Sequence, residues 1–266
     1  MAPATTPEPG PGPGRARLPE LSYFFPAHNE EGNVEALIGD ALVALSAIAE
    51  CFEIIVVNDG STDRTGPLAD ALALANPATV RVVHHPTNQG YGAALRSGFQ
   101  VARFDWVGFT DGDRQFAVED LGRLSARIAA PDQPDVVVGF RIRRADPPIR
   151  SLYAKSYRLA NRVFFGLRVT DVDCACKLFR RASLRGLRVE SGGAFFSAEL
   201  LIKLRAAGRS VVEVGVPHYA RTVGTATGAR PAVVLRAVRD FWNLRLRLWV
   251  NPRLALGRGV PILGDY

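Results

Sequence analysis

The sequence predicts an α/β fold, with a mostly parallel central sheet and helices on both faces. Three observations carry this expectation. Apolar runs of strand length alternate with segments of helical period along the first half of the chain. The runs are continuously apolar, as in Ile54-Ile55-Val56-Val57, which suits strands covered on both faces. Strand–helix–strand succession then requires right-handed crossovers and parallel pairing.

Taken in order, residues 21–27 form the first strand. Over 33–49, Val34, Leu37, Ile38, Ala41, Leu42, Leu45 and Ile48 recur at helical spacing. Residues 53–57 are the second strand and 63–75 the second helix, with Ser61 or Thr62 as its cap. Then come a strand at 80–84, a helix at 91–102, a strand at 106–110, a helix at 118–129 and a strand at 135–140. The second half is less regular. A helix at 151–165 carries Lys155, Arg158 and Arg162, and the stretch 169–179 is a polar loop entering a short strand. A helix at 197–207 and a strand at 210–216 precede a long helix at 231–249, which has Pro231 in its first turn. Residues 1–18 are Pro/Gly-rich without an apolar signal core and read as a disordered tail. Residues 19–250 read as a single domain, with 19–145 as a nucleotide-binding half and 146–250 as an acceptor half. Residues 251–266 read as a C-terminal tail.

Composition bounds the function. Hydrophobic residues are 47% and charged residues 22% of 266, which excludes a disordered or fibrous chain. No stretch approaches the roughly 20 apolar residues needed to cross a bilayer. Cys51, Cys174 and Cys176 are too few, and wrongly spaced, for a disulfide framework or a zinc site. They read as structural cysteines in a reducing cytoplasm. The net charge is +7, and beyond residue 220 eight arginines face only Asp240 and Asp265. Such an end suits anionic lipid or a phosphorylated ligand. It is equally the mark of a solvated basic helix face. Nucleic acid is not expected as a partner, because no aromatic stacking motif or reading module accompanies the basic residues.

In an open α/β sheet, ligands bind at the carboxyl ends of the strands. Those ends carry Pro26-Ala27-His28-Asn29-Glu30-Glu31, Asn58-Asp59-Gly60-Ser61, His84-His85 and Asp111-Gly112-Asp113. Two carboxylates separated by one small residue can share a hard divalent cation that keeps positions open for phosphates. Taken alone, the tripeptide reads rather as an Asp-Gly turn, and its place at a strand end among the other motifs reverses that. Asp59 can accept from the N–H donors of a nucleobase edge. Glu30 can bind a base or ribose, or serve the first turn of the helix. Asn88-Gln89-Gly90-Tyr91-Gly92 has the form of a phosphate-binding turn. No Gly-x-Gly-x-x-Gly follows the first strand and no Walker sequence is present, so dinucleotide and P-loop readings are disfavoured. His84-His85 reads as a strand-end pair rather than a metal site.

With these motifs in order and at their usual separations, the chain resembles the inverting family-2 glycosyltransferases of GT-A fold. The nearer resemblance, over about 21–249, is to dolichyl-phosphate mannose synthases and bacterial polyprenyl-phosphate sugar synthases. The resemblance implies that Pro26, His28 and Glu30 line the nucleotide pocket and that Asp59 contacts the base. It implies that Asp111 lies by the ribose and pyrophosphate, that Asp111 and Asp113 ligate Mg²⁺ or Mn²⁺, and that Gln115 completes the metal site. Arg141 falls near the phosphates. Asp171 opens an acceptor loop that runs through Asp173 and Lys177, and Glu199 and Arg221 fall around the sugar and phosphate. Asn58 stands where many members have aspartate, Ala175 replaces a glycine, and Cys176 replaces an aromatic residue.

The implied reaction moves a hexose from a nucleoside-diphosphate sugar, GDP-mannose first and UDP-glucose next. Negative charge building on the leaving diphosphate needs cations. A lipid-phosphate acceptor is already anionic and needs only placement, beside cations such as Lys155, Lys177 or Arg221. A hydroxyl acceptor of a natural product or saccharide needs a base, for which Asp171, Asp173 and Glu199 are the candidates. A nucleotidyltransferase is disfavoured, since the segment after the first strand is acidic rather than Gly-rich and basic. A non-catalytic nucleotide-sugar binder is disfavoured by the retained Asp111, Asp113 and Gln115. His218 is a further candidate on the acceptor side. Over 231–249, Val233, Val234, Ala237, Val238, Phe241, Leu244 and Leu248 fall at helical spacing, with Arg236, Arg239 and Arg247 on another side. That pattern fits either a helix lying on an anionic bilayer or a helix packed on its own domain. The expected location is cytoplasmic, with peripheral contact to the inner membrane face.

Overall fold

The computed structural model describes residues 17–142, 148–221, 223 and 231–264. The expected tail residues 1–16, and 143–147 and 224–230, lie outside the described residues. A seven-stranded sheet forms the centre, in the order β3-β2-β1-β4-β6-β5-β8. Strands β1 (Leu18–Ala27), β2 (Ala49–Asn58), β3 (Val80–His84) and β4 (Trp106–Phe109) are mutually parallel. Strand β6 (Lys177–Arg180) runs antiparallel between β4 and β5 (Val136–Arg141), and β8 (Val211–Val216) pairs parallel to β5. The carboxyl ends of β1–β5 and β8 therefore share one edge with the start of β6. Loops from distant parts of the chain meet there.

Helices α1 (Val34–Ile48), α2 (Thr65–Ala75), α3 (Tyr91–Val101) and α4 (Leu121–Ile128) supply the crossovers of the first half. The sheet is apolar on both faces because both are covered: Phe24, Ile54, Ile55, Val56, Val57 and Phe109 are all essentially inaccessible. Phe24, Phe99, Phe109 and Phe179 form one aromatic cluster, with ring centroids 5.0–6.2 Å apart, that joins α3 to β1, β4 and β6. Burying such rings is among the larger single contributions to a core, at about 1.5–3 kcal/mol each. A second aromatic group, Phe164, Phe165, Phe195, Phe241 and Trp242, fastens α5 (Pro148–Phe165) and α7 (Pro231–Val250) to the start of α6 (Phe196–Ala206).

Three expectations change. Leu18 lies inside β1, so ordered structure begins within the segment read as a tail. The segment read as a C-terminal tail forms α8 (Pro252–Gly257) and β9 (Val260–Pro261), which pairs with β7 (Arg188–Val189). Buried Ala255, Ile262 and Leu263 hold it against the domain. The cap of α2 is neither Ser61 nor Thr62. Asp63 Oδ1 accepts from the Thr65 amide (3.0 Å) and hydroxyl (2.6 Å). Ser61 and Thr62 instead bond Asn29 across the site edge.

Candidate active site

The edge is built by loops that hold one another. Asn29 adopts a left-handed backbone, φ 56°, which asparagine tolerates better than most residues. Its side-chain oxygen accepts from the Thr62 amide at 2.9 Å. His28 Nδ1 donates to the Asp59 carbonyl at 2.9 Å. Gly60 has φ 64°, and a Cβ there would collide with the Thr87–Asn88 backbone, so only glycine permits this approach. Asn58 explains itself. Its Oδ1 accepts from the Ser61 amide while its Nδ2 donates to His84 Nδ1, a double role that an ionised aspartate cannot fill.

The Asp59 carboxylate is engaged within the chain. Oδ1 accepts from His85 Nδ1 (2.7 Å) and the Gln89 amide (2.8 Å), and Oδ2 accepts from the Gly90 amide (2.9 Å). The side chain is buried. The Gln89–Gly92 turn thus binds an internal carboxylate rather than a phosphate. It aims Tyr91, whose hydroxyl donates to Asp111 Oδ1 at 2.9 Å. Sequence reasoning missed Tyr91; its only signal was an aromatic residue between two glycines at a helix start. The histidine pair is committed elsewhere: His84 to Asn58 and Asp70, and His85 to Asp59 and Ser97.

Asp111 and Asp113 follow β4. Burial, and next the neighbouring Asp113 charge, push the Asp111 carboxyl up to about 7. Asp113 accepts from the Gln115 amide at 3.1 Å and pairs with Arg221, whose other terminal nitrogen lies 3.6 Å from Glu30. Burial raises Glu30 as well, against a 2.6 Å bond from Asn33. Arg221 arrives on the strap after β8, which is stitched to the loop by Tyr219 N to Gln115 O (3.0 Å) and Gln115 Nε2 to Tyr219 O (3.3 Å). His218 lies against the Phe116 ring on the same strap. Two crowded carboxylates of hard oxygen chemistry fit a divalent cation, whose charge would relieve their repulsion. The Gln115 side chain is engaged with the strap. Among the described residues no group of three or more His, Cys, Asp or Glu converges as a metal cage, which leaves any further ligand positions to substrate or water.

The remaining predicted residues divide. Arg141 forks onto Asp171 through 2.6 and 2.7 Å bonds, at the same edge. Asp173 is exposed two residues on, and Lys155 is exposed on α5. Lys177 is no surface cation. It is buried, donates to the Cys174 carbonyl and lies 5.4 Å from the centre of the Phe109 ring, and burial draws its ammonium below the ordinary value. Cys174 and Cys176 are buried as expected, whereas Cys51 is exposed.

Glu199 is tied within the chain. Its two oxygens accept from the Glu190 and Ser191 amides at 2.9 and 2.8 Å, and Lys203 pairs with it at 2.9 Å. Its work is to pin the 190–193 loop, whose Gly192 carbonyl accepts from Gly92 at the start of α3. Glu199→Gln is expected to lower the melting temperature by roughly 4–8 °C, from about 2 kcal/mol of lost charged hydrogen bonding, with the pH profile of kcat unchanged. A displaced profile at an unchanged melting temperature would return Glu199 to catalysis.

The family model for Glycosyl transferase family 2 matches residues 22–188. Polyprenol monophosphomannose synthase of Mycolicibacterium smegmatis is 31% identical over 241 residues, which covers 84% of this chain and 86% of that protein. Glycosyltransferase AglD of Haloferax volcanii is 29% identical over 251 residues, 91% of this chain but 40% of that protein. An undecaprenyl-phosphate 4-deoxy-4-formamido-L-arabinose transferase of Pseudomonas paraeruginosa is 31% identical over 206 residues, 77% of this chain and 59% of its own. The chain therefore spans less than two thirds of two of these three relatives. Glucosyl-3-phosphoglycerate synthase of Mycobacterium tuberculosis, solved with phosphoglyceric acid, shares the fold at a TM-score of 0.66 and 22% identity, covering 86% of this chain and 80% of that one. Strand order, the acidic edge after β4 and the match across residues 22–188 converge on one conclusion: the chain belongs to glycosyl transferase family 2 and has its GT-A fold.

Proposed function

We propose that this chain transfers a hexose, with inversion, from a nucleoside-diphosphate sugar to a polyprenyl-phosphate acceptor. The observation that carries the acceptor class is the state of the candidate bases. Glu199 is locked by two amides and a lysine, and Asp171 is forked by Arg141. Both carboxylates are already engaged by donors within the chain. An acceptor that arrives as an anion needs no base. A groove of ≈ 570 Å³ beside the Asp171 loop is lined by Lys155, Arg158, Arg162 and Arg168, with Leu159 and Leu167. Its cations suit a phosphate and its apolar side chains a prenyl tail.

In this reading the acceptor phosphate oxygen attacks the anomeric carbon from the face opposite the diphosphate. The new C1–O bond forms as the old one breaks, and the nucleoside diphosphate leaves with the electron pair. Asp111 and Asp113 would hold Mg²⁺ or Mn²⁺, which when bound stabilises negative charge on the diphosphate. Arg221, which pairs with Asp113, would offer a cation to the same phosphates. Pro26, His28 and Glu30 shape the nucleotide pocket, with Asp59 acting through the turn it holds. The relative from Mycolicibacterium smegmatis, named polyprenol monophosphomannose synthase, supports GDP-mannose as the first donor to try.

A thermal-shift panel of GDP- and UDP-sugars with Mg²⁺ or Mn²⁺ tests the donor side. The matching nucleotide at a hundredfold excess over Kd stabilises by about 2.7 kcal/mol. No shift with any nucleotide sugar would defeat the proposal. Exposed Asp173 favours one second reading, transfer to a hydroxyl with Asp173 as base. Loss of activity in Asp173→Asn with a hydroxyl acceptor would select that reading.

A further inference from the structure

The turn over residues 89–92 has the form of a phosphate cradle, yet its amides are spent inside the chain. Asp59 accepts from the Gln89 and Gly90 amides, and the Gly192 carbonyl accepts from the Gly92 amide at 3.2 Å. Tyr91 is therefore anchored through the residue on each side of it. The anchors are themselves fixed. His85 Nδ1 bonds Asp59 at 2.7 Å, and His85 Nε2 meets the Ser97 hydroxyl of α3 at 2.8 Å. Gly192 lies in the loop that Glu199 pins. Gly90 takes φ 95°, and a Cβ on Gly92 would stand 2.8 Å from the Gly192 carbonyl carbon, so the glycine on either side of Tyr91 is required by the backbone. The loops after β2 and β3, the start of α3 and the 190–193 loop thus combine to place one side chain. Its hydroxyl donates to Asp111 Oδ1 at 2.9 Å.

We propose that Tyr91 is a positioning residue that fixes the Asp111 carboxylate for a divalent cation. A phenol is protonated at neutral pH and, as a donor to the carboxylate, does not compete with it for the cation. A carboxylate held through one oxygen keeps its orientation before the cation arrives, so less freedom is lost when it binds. Hydrogen-bond partners of this kind tune metal affinity although they do not touch the metal. A packing role alone would be met by phenylalanine. The hydroxyl on Asp111 and the anchors on both flanks suit a group set for orientation. Asp59, read from sequence as a base contact, then acts on the site through this arm. Asp111 and the turn are 20 residues apart, so the arm also ties the loop after β4 to the start of α3. The inference rests on Asp111 and Asp113 as cation ligands, and not on the identity of the acceptor.

Tyr91→Phe in the full chain removes the hydroxyl and keeps the ring. Its affinity for Mn²⁺, followed by electron paramagnetic resonance, should fall by about 10–100-fold. Thermal shift supplies a second readout. Stabilisation by GDP or UDP alone should match wild type, while the increment added by Mn²⁺ should shrink. Wild-type Mn²⁺ affinity in Tyr91→Phe would overturn the proposal, whatever its turnover. So would an equal loss of metal-free nucleotide binding, because Tyr91 would then touch the nucleotide itself. Glu53→Gln, which loosens the fold at a buried residue of β2 outside the site, is the control for stability. An equal loss of Mn²⁺ affinity there would make the Tyr91 effect one of folding and overturn its positioning role. Wild-type protein that binds Mn²⁺ but does not transfer to a polyprenyl phosphate sinks the acceptor reading and leaves Tyr91 in place. Wild-type protein that binds no Mn²⁺ sinks the metal role and this proposal with it.

Discussion

Asp113→Ala is expected to lower kcat/KM for sugar transfer by about 10³-fold or more while the protein stays folded. The expectation follows from position. Asp113 stands two residues past β4, is buried, and shares the site edge with Asp111, Arg221 and Glu30. Removing one preorganised group that stabilises developing charge costs about 10²–10³-fold, and in the proposed metal role the loss of a ligand would add to that. The variant also frees Arg221 from its carboxylate partner, so the strap that carries it loses one of its ties. Two readouts separate the causes. Mn²⁺ binding followed by electron paramagnetic resonance reports the ligand role directly, and circular dichroism reports the fold. Turnover at the wild-type rate by Asp113→Ala in the presence of EDTA would refute a metal role for this carboxylate.

The second large effect lies far from the chemistry. Glu53 is fully buried in β2 and accepts from the Ser22 hydroxyl (2.6 Å), the Arg103 amide (2.9 Å) and both Arg81 and Arg103 guanidinium groups. Burial alone would raise its pKa. The Ser22, Arg103 and Arg81 bonds together reverse that and hold it below the ordinary 4.5. Glu53→Leu should cost about 3 kcal/mol, at the lower end for a broken buried pair because Arg81 and Arg103 are partly in water. That corresponds to a fall of roughly 6–12 °C in melting temperature. The pH dependence has a fixed sign. Because the folded pKa lies below the unfolded one, the stabilisation is complete above about pH 4.5 and disappears as pH falls through the folded value. Glu53→Gln should therefore flatten the acid limb of the stability curve in that window. An unchanged acid limb would mean that Glu53 is not the group that links folding to protons.

Several elements were legible because local chemistry decides them. The apolar runs of β1, β2 and β4, the helical periods of α1 and α3, and the acidic strand ends are written in residue order, since burial of a period is a local property. The strand-end rule then located the site edge without any structure. Pairing partners are another matter, because hydrogen bonds between segments far apart in sequence depend on where the fold carries them. Asp59 and the turn at 89–90 are 30 residues apart, and only their approach shows that Gly90 serves a carboxylate. Glu199 and Asp173 are both acids at plausible positions. Two backbone amides and Lys203 bury one as a pin, while the other lies at an exposed position. Lys177 reads as an acceptor-side cation until β6 places it beneath the sheet edge.

The sequence by itself determined the α/β class and the edge on which Asp111 and Asp113 gather, because these follow from hydrophobic period and strand order, and its ordered motifs carried the resemblance to the family. Only the tertiary structure decided which charged groups are engaged and which faces are covered. Packing chose one face of α7 for the core and left the other, equally apolar, exposed. A helical period reports that a stripe exists, but the area it buries depends on what the rest of the chain brings against it.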